Sequence, residues 1–197
     1  MSEQKRKYEK KRRAEGEAQT RLRITESAVE LHGSLGPART SMSAVAEHAG
    51  VRRSTLYRHF ADERALFGAC SAHWGAANPP PDIGAWASVE DPAKRLDTAL
   101  ADLYAYYRQT EEMLDKLLRD APAVPVVDEL MSGFHAFLGE AGTLLMRGRG
   151  LRGNDAKRTR AAIGHALAFS TWQDLTGARG LGDAAAAQLM SALVAAA

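Results

Sequence analysis

The chain has one cysteine, Cys70, in 197 residues, which excludes an internal disulfide and a metal site built from thiolates alone. Cys70 falls on an apolar helical face, where it reads as core filling, with redox pairing across a dimer as the other reading. Long apolar runs are also missing. Hydrophobic residues make up 45% of the chain but come in runs of a few, far below the roughly 20 that span a bilayer. The opening MSEQKRKYEKKRR has no apolar stretch of the kind a signal peptide needs, so a cytoplasmic protein is expected. No G-x-S-x-G, H-E-x-x-H, P-loop or dinucleotide-binding glycine pattern occurs, and the histidines at 32, 48, 59, 73, 135 and 165 lack ligand spacing. Neither enzymatic activity nor a metal or resident cofactor is expected.

Charge is small in total and uneven in distribution. Residues 1–75 carry 14 Lys/Arg against 9 Asp/Glu, a net of +5, while the remainder brings the chain down to +2. A basic N-terminal third suits a domain that meets a polyanion, because neutralising phosphates releases counterions. The run Lys5, Arg6, Lys7, Lys10, Lys11, Arg12 and Arg13 sharpens the asymmetry. Residues 1–18 read as a basic flexible arm, either reaching a minor groove or crossing the backbone of a duplex, or else remaining a solvated tail.

The segment TSMSAVAEHAGVRRSTLYRHF, residues 40–60, has the residue order of two short helices hinged at Ala49-Gly50-Val51. Thr40, Ser41 and Ser43 offer helix-capping hydroxyls, and Met42, Val45, Ala46 and Ala49 share one face. Gly50 supplies the positive φ that ends the first helix abruptly, and Leu56 and Phe60 lie i, i+4 apart on the second. In a helix-turn-helix the start of the second helix meets base edges while flanking polar groups hold phosphates. Here that surface is Arg52, Arg53, Ser54, Thr55, Tyr57, Arg58 and His59, with three guanidinium groups and no carboxylate.

Those residues carry a resemblance. From Arg21 through Phe60 to Ala65-Leu66-Phe67, the chain resembles the DNA-binding domain of the tetracycline-repressor (TetR) family of bacterial transcription regulators. The carriers are Ile24, Ala28 and Leu31, then Gly36, Thr40-Ser41, Val45-Ala46-Glu47, Ala49-Gly50-Val51, Thr55-Leu56-Tyr57 and His59-Phe60. The resemblance implies phosphate contacts from Thr40, Tyr57 and His59, with Arg53, Thr55 and Arg58 reaching bases or adjoining phosphates. Where relatives usually carry a small hydroxyl residue and a glycine, this chain has Arg52 and Ser54, so its base preference is its own. A lysine commonly opens the fourth helix; here Arg64 is the substitute, and His32 replaces a usual aromatic.

An all-α fold is expected throughout: an N-terminal three-helix helix-turn-helix domain joined by a fourth helix to a C-terminal helical bundle domain. The proline run 79–81 breaks the chain after the linking helix. The spacing therefore predicts a helix-turn-helix domain with linking helix over 19–76 and a ligand-binding and dimerisation domain over 77–197. In the latter, helices are predicted from Pro92 to Tyr107, over 111–120, 126–146 and 155–176, and from Asp183 onward. The final two helices are alanine-rich and pack either within one chain or against a second copy; the resemblance implies a homodimer through them.

The aromatics Trp86, Tyr104, Tyr107, Phe134, Phe137, Phe169 and Trp172, with His165, read either as core packing or as the lining of a site for a small-molecule inducer. With these features, the resemblance implies a ligand-responsive regulator, a repressor, that binds a palindromic DNA operator as a dimer and is released by an inducer. The alternative is a small-molecule-binding or protein-docking helical bundle without specific DNA recognition.

Overall fold

The computed structural model describes the backbone of residues 3–197 and side chains from residue 6 onward. Ten α-helices account for most of it, and no strand occurs among the described residues. They are α1 (Glu3–Ser34), α2 (Met42–His48), α3 (Arg53–His59), α4 (Glu63–Ala77), α5 (Ile83–Ala87), α6 (Pro92–Asp120), α7 (Pro125–Met146), α8 (Gly153–Leu167), α9 (Phe169–Gln173) and α10 (Asp183–Ala195). The chain forms two compact units, one of residues 1–78 with 112–131 and the other of residues 79–111 with 132–197. The break after Asn78 falls at the proline run, but the first unit also takes in the end of α6 and the start of α7.

The first unit is built on α1, which buries Ile24 and Ala28 against Met42, Val45, Ala46, Ala49, Leu56, Phe60, Leu66 and Cys70. The basic segment expected as a flexible arm is, over its described residues, the first half of α1. Lys, Arg, Glu, Gln and Ala are good helix formers and no proline interrupts them, so the helix propagates outward. His32 is fully accommodated: its ring is buried and stacked on Phe67, with centroids 4.6 Å apart and planes 6° from parallel.

After α1 the chain turns through Gly36 and a 3-10 turn, Pro37–Arg39. Gly36 has a φ of 96°, and a Cβ there would strike the Arg119 guanidinium and the Asp120 carboxylate. Those two residues clasp the turn. Asp120 accepts the Ala38 amide at 3.0 Å and pairs with Arg119 at 2.7 Å, while Arg119 donates to the Leu35 carbonyl at 3.2 Å. The Arg119 contact, helped by the Ala38 amide, holds the Asp120 carboxyl below its ordinary range.

In the second unit, three expectations change. The helices predicted at 92–107 and 111–120 are one, α6, because Arg108-Gln109-Thr110 contains no breaker and the Thr110 hydroxyl is satisfied by the Tyr106 carbonyl at 2.6 Å. The helix predicted over 155–176 is instead interrupted at Ala168, which is extended (φ −71°, ψ 132°), and ends in a π-helical turn at Asp174–Ala178. The interruption exposes the last carbonyls of α8, and two tyrosines of α6 satisfy them: Tyr104 donates to Ala166 at 2.9 Å and Tyr107 to Leu167 at 2.5 Å. A short helix, α5, was not expected; Asp82 caps it by accepting the Gly84 amide, and Trp86 anchors it in the core.

Candidate nucleic-acid interface

Local signals place α3. Ser41 caps α2 by accepting the Ala44 amide at 3.2 Å, which leaves its own hydroxyl proton free for an external acceptor. At the other end of α2, Gly50 takes a φ of 62°, the Gly50 amide bonds the Glu47 carbonyl at 3.0 Å, and the Val51 amide bonds Ala46 at 2.9 Å. This pair of bonds is a Schellman termination, and only a residue free to adopt positive φ completes it without strain. The chain then re-enters helix at Arg53.

Leu56 and Phe60, 0% and 1% exposed, pin α3 to the core. The opposite side faces solvent: Arg52, Arg53, Ser54, Tyr57 and Arg58 are exposed, and Thr55 and His59 are half-buried. Arg53 and Tyr57, one turn apart, are already associated. The guanidinium donates to the phenol oxygen at 3.4 Å and lies 5.5 Å from the ring centroid, so both side chains are partly ordered before any ligand arrives. No carboxylate interrupts residues 51–61. An anion with spaced negative charges fits this face.

Two of the expected phosphate contacts are not presented to a ligand in this arrangement, one by engagement and one by burial. The Thr40 hydroxyl donates to the Gly36 carbonyl at 2.8 Å and so closes the 3-10 turn Pro37–Arg39. The His59 Nε2 is shielded from solvent and has no hydrogen-bond partner among the described residues, so that atom is not presented to a ligand. Arg64 is engaged as well: its guanidinium forms a two-point pair with Glu129, one arm at 2.9 Å.

Arg21, given no role from the sequence beyond opening the resemblance, proves to be structural at this site. It donates to the His59 carbonyl at 2.5 Å and lies 4.1 Å over the Phe60 ring, fixing α1 against the C-terminal end of α3. The approach of residues 21 and 60 is not readable from spacing. Cys70 is buried with its thiol toward the Thr25 carbonyl, and burial pushes its pKa up to about 12, so it stays a protonated, unreactive thiol.

The aromatic candidates lie in the second unit. Tyr107 is fully buried at the centre, with Phe169 edge-on at 5.2 Å, Trp172 at 5.8 Å and Phe134 at 6.4 Å. Trp172 donates to Asp183 at 3.0 Å and Trp86 to Asp102 at 2.8 Å; Trp86 also meets Phe137 at 6.1 Å. Trp86, Tyr104, Tyr107, Phe169 and Trp172 are buried, Phe134 and Phe137 are half-buried, and His165 is exposed beside the Thr171 hydroxyl. Burial raises the Tyr104 and Tyr107 hydroxyls well above the usual phenol range, so both remain donors. The group as it stands is a packed aromatic cluster with its polar atoms satisfied.

Residues 24–70 match the family model described as bacterial regulatory proteins, tetR family. No curated protein sequence matches the chain significantly. Among solved structures, a TetR-like transcriptional regulator from Rhodococcus sp. RHA1 is similar with a TM-score of 0.63 and 21% identity, covering 89% of this chain and 93% of that one. A candidate TetR-family regulator from Mesorhizobium loti gives 0.62 and 21%, covering 91% and 95%. The multidrug binding protein EbrR, solved with imidazole, gives 0.54 and 21%, covering 88% and 93%. These likenesses show the fold over nearly the whole length. The chain thus joins a segment, residues 24–70, that matches the tetR family of bacterial regulatory proteins to an all-α fold similar to that of TetR-like regulators over nearly its whole length.

Proposed function

We propose that this protein is a ligand-responsive transcriptional repressor that binds a palindromic operator as a homodimer and is released by a small-molecule inducer. The observation that carries the reading is the outer face of α3, where three arginines and Tyr57 stand on a helix pinned by Leu56 and Phe60 with no acidic residue among them. Residues 19–76 would serve as the reading head and 77–197 as the ligand-binding and dimerisation domain. EbrR, the multidrug binding protein of the same fold, supports a small-molecule role for the aromatic cluster. Inducer entry would require the half-buried Phe134 and Phe137 to part from Tyr107 and Trp86, and it would lower DNA affinity only if the inducer prefers the DNA-incompetent arrangement.

The test is selection of duplexes from a random-sequence pool. A repressor of this kind returns a palindrome, and Arg53→Ala weakens binding to it by roughly 10- to 100-fold, the worth of one bidentate base contact of about 1–3 kcal/mol. Unchanged affinity in that variant, or a pool with no enriched sequence, contradicts the reading and favours a bundle without specific DNA recognition.

Dimerisation through the last two helices has its own support. α8 and α10 pack on each other, and α10 leaves Leu189 and Leu193, i and i+4, 41% and 52% exposed beside an alanine-rich face. Leu193→Glu is expected to yield a monomer in sedimentation experiments and to cost operator affinity by about 100-fold or more as avidity is lost. A dimer undiminished by this change would place the interface elsewhere.

A further inference from the structure

The N-terminal half of α1 projects from the C-terminal end of α3. Arg21 roots it there through the His59 carbonyl and the Phe60 ring, and from Arg6 to Gln19 no side chain is buried. Arg6, Lys7, Lys10, Lys11, Arg12 and Arg13 are exposed cations with one acid, Glu9, among them. At about 100° per residue, five of the six fall within roughly 160° of the helix circumference: Arg6, Lys10 and Arg13 in one row and Lys7 and Lys11 beside it. Arg6 with Lys10, and Lys7 with Lys11, are like-charge neighbours one turn apart, which weakens an isolated helix. Gly16, with nothing near its missing side chain, weakens it further. A polyanion laid against the row reverses the first of these costs.

We propose that residues 6–20 form a second DNA-contacting element, a helix whose Arg6, Lys7, Lys10, Lys11 and Arg13 row lies along phosphates of the duplex flanking the site read by α3. The helical form decides the mode of contact. A helix about 10–12 Å across does not enter a minor groove about 6 Å wide, so this element tracks backbone and reads no bases. The row itself, from Arg6 to Arg13, rises about 10 Å, alongside roughly 3 base pairs beyond the half-site, while Glu15, paired with Lys11 at 3.8 Å, and Glu17 lie nearer the root. The inference rests on the DNA-binding reading but not on an operator, because phosphate contacts form on any duplex.

The experiment compares the full-length protein with a variant carrying Arg6→Gln, Lys7→Gln, Lys10→Gln and Arg13→Gln, measuring affinity against salt on a 40-base-pair random-sequence duplex. Losing four phosphate contacts per protomer makes the slope of log K against log salt less steep by roughly 3 to 4 for each protomer engaged, about 7 for a dimer with both helices on the duplex. Gly16→Ala, which favours the helix, is expected to tighten binding by up to about fivefold. An unchanged slope in the quadruple variant overturns the proposal, as does weaker binding by Gly16→Ala or protection of minor-groove adenine N3 in the flanks, either of which marks an unwound arm. Absence of any duplex binding by the unaltered protein overturns both readings. A slope change with no enriched operator sequence sinks only the repressor.

Discussion

Arg95→Met is expected to lower the stability of the second unit by about 2–4 kcal/mol, because buried carbonyls left without a donor cost about 1–3 kcal/mol each. Arg95 is 6% exposed, and its guanidinium is satisfied by backbone carbonyls. Nε donates to Val89 at 2.8 Å, Nη2 to Glu90 at 2.9 Å, and Nη1 to Arg147 at 2.9 Å and Leu144 at 3.4 Å. Leu144 lies in the last turn of α7 and Arg147 directly follows it, where the terminal carbonyls and the negative end of the helix dipole favour a cation. Val89 and Glu90 belong to the turn that leads into α6. One side chain therefore joins the start of one long helix to the end of another.

Arg149, nearby, donates to Leu145 at 2.8 Å and Pro92 at 3.2 Å; desolvation, with the Arg95 charge adding to it, lowers its pKa. Removing Arg95 relieves that repulsion but takes the guanidinium donors from the carbonyls of Val89, Glu90 and Arg147, while Leu144 keeps the Arg147 amide at 3.0 Å. Methionine fills the volume and donates nothing. Arg95→Lys should recover less than half of the loss, because an ammonium concentrates its donors at one point and cannot span two segments. Urea unfolding followed by fluorescence of the buried Trp86 and Trp172 reads the change. A loss below about 1 kcal/mol would mean that water solvates those carbonyls readily.

Arg95 also shows why part of the molecule escaped the sequence. On a helix preceded by Glu90-Asp91 and followed by Asp97, an arginine reads as a solvated charge; its acceptors lie near it in sequence and some 50 residues away. The break at Ala168 escaped for the same reason. Ala168 carries no breaking tendency of its own, and the donors that tolerate the break, Tyr104 and Tyr107, sit about 60 residues earlier. By contrast, α2, α3 and the turn between them were legible because every determinant is local: Ser41 at the cap, Gly50 at the positive φ, and Leu56 and Phe60 one turn apart. The exposed face of α3 followed from that register. Thr40 was assigned to phosphate from resemblance, whereas the hydrogen bond to Gly36 depends on how the preceding turn folds back. The basic segment reads as a flexible arm, on DNA or in solvent, because its charge argues for solvation, although its helix-forming residues argue equally for continuity with α1.

The stacked pair His32 and Phe67 makes the first unit sensitive to acid. Burial lowers the His32 pKa from 6.5 to about 4, so the folded unit holds the neutral imidazole. Because the folded value is depressed, the unfolded chain binds the proton more readily at any pH between the two. The stabilisation is complete above pH 6.5 and disappears as pH falls toward 4. The loss should reach about 2 kcal/mol at pH 5 and about 3 kcal/mol near pH 4, at roughly 1.4 kcal/mol per pKa unit. The depressed Asp120 carboxyl acts in the opposite part of the acid range: its contribution persists until the pH drops below the ordinary carboxylate value. Comparison of the unaltered protein with His32→Phe at each pH cancels Asp120 and isolates the imidazole. His32→Phe retains the stack on Phe67 with no proton to gain, so amides of α1 and α4 should exchange hydrogen about as slowly at pH 5 as at pH 7 once intrinsic rates are divided out. In the unaltered protein the same amides should lose about 30-fold protection over that interval. Equal losses in both proteins would mean that the ring reaches solvent when it protonates, and the acid sensitivity would then lie elsewhere.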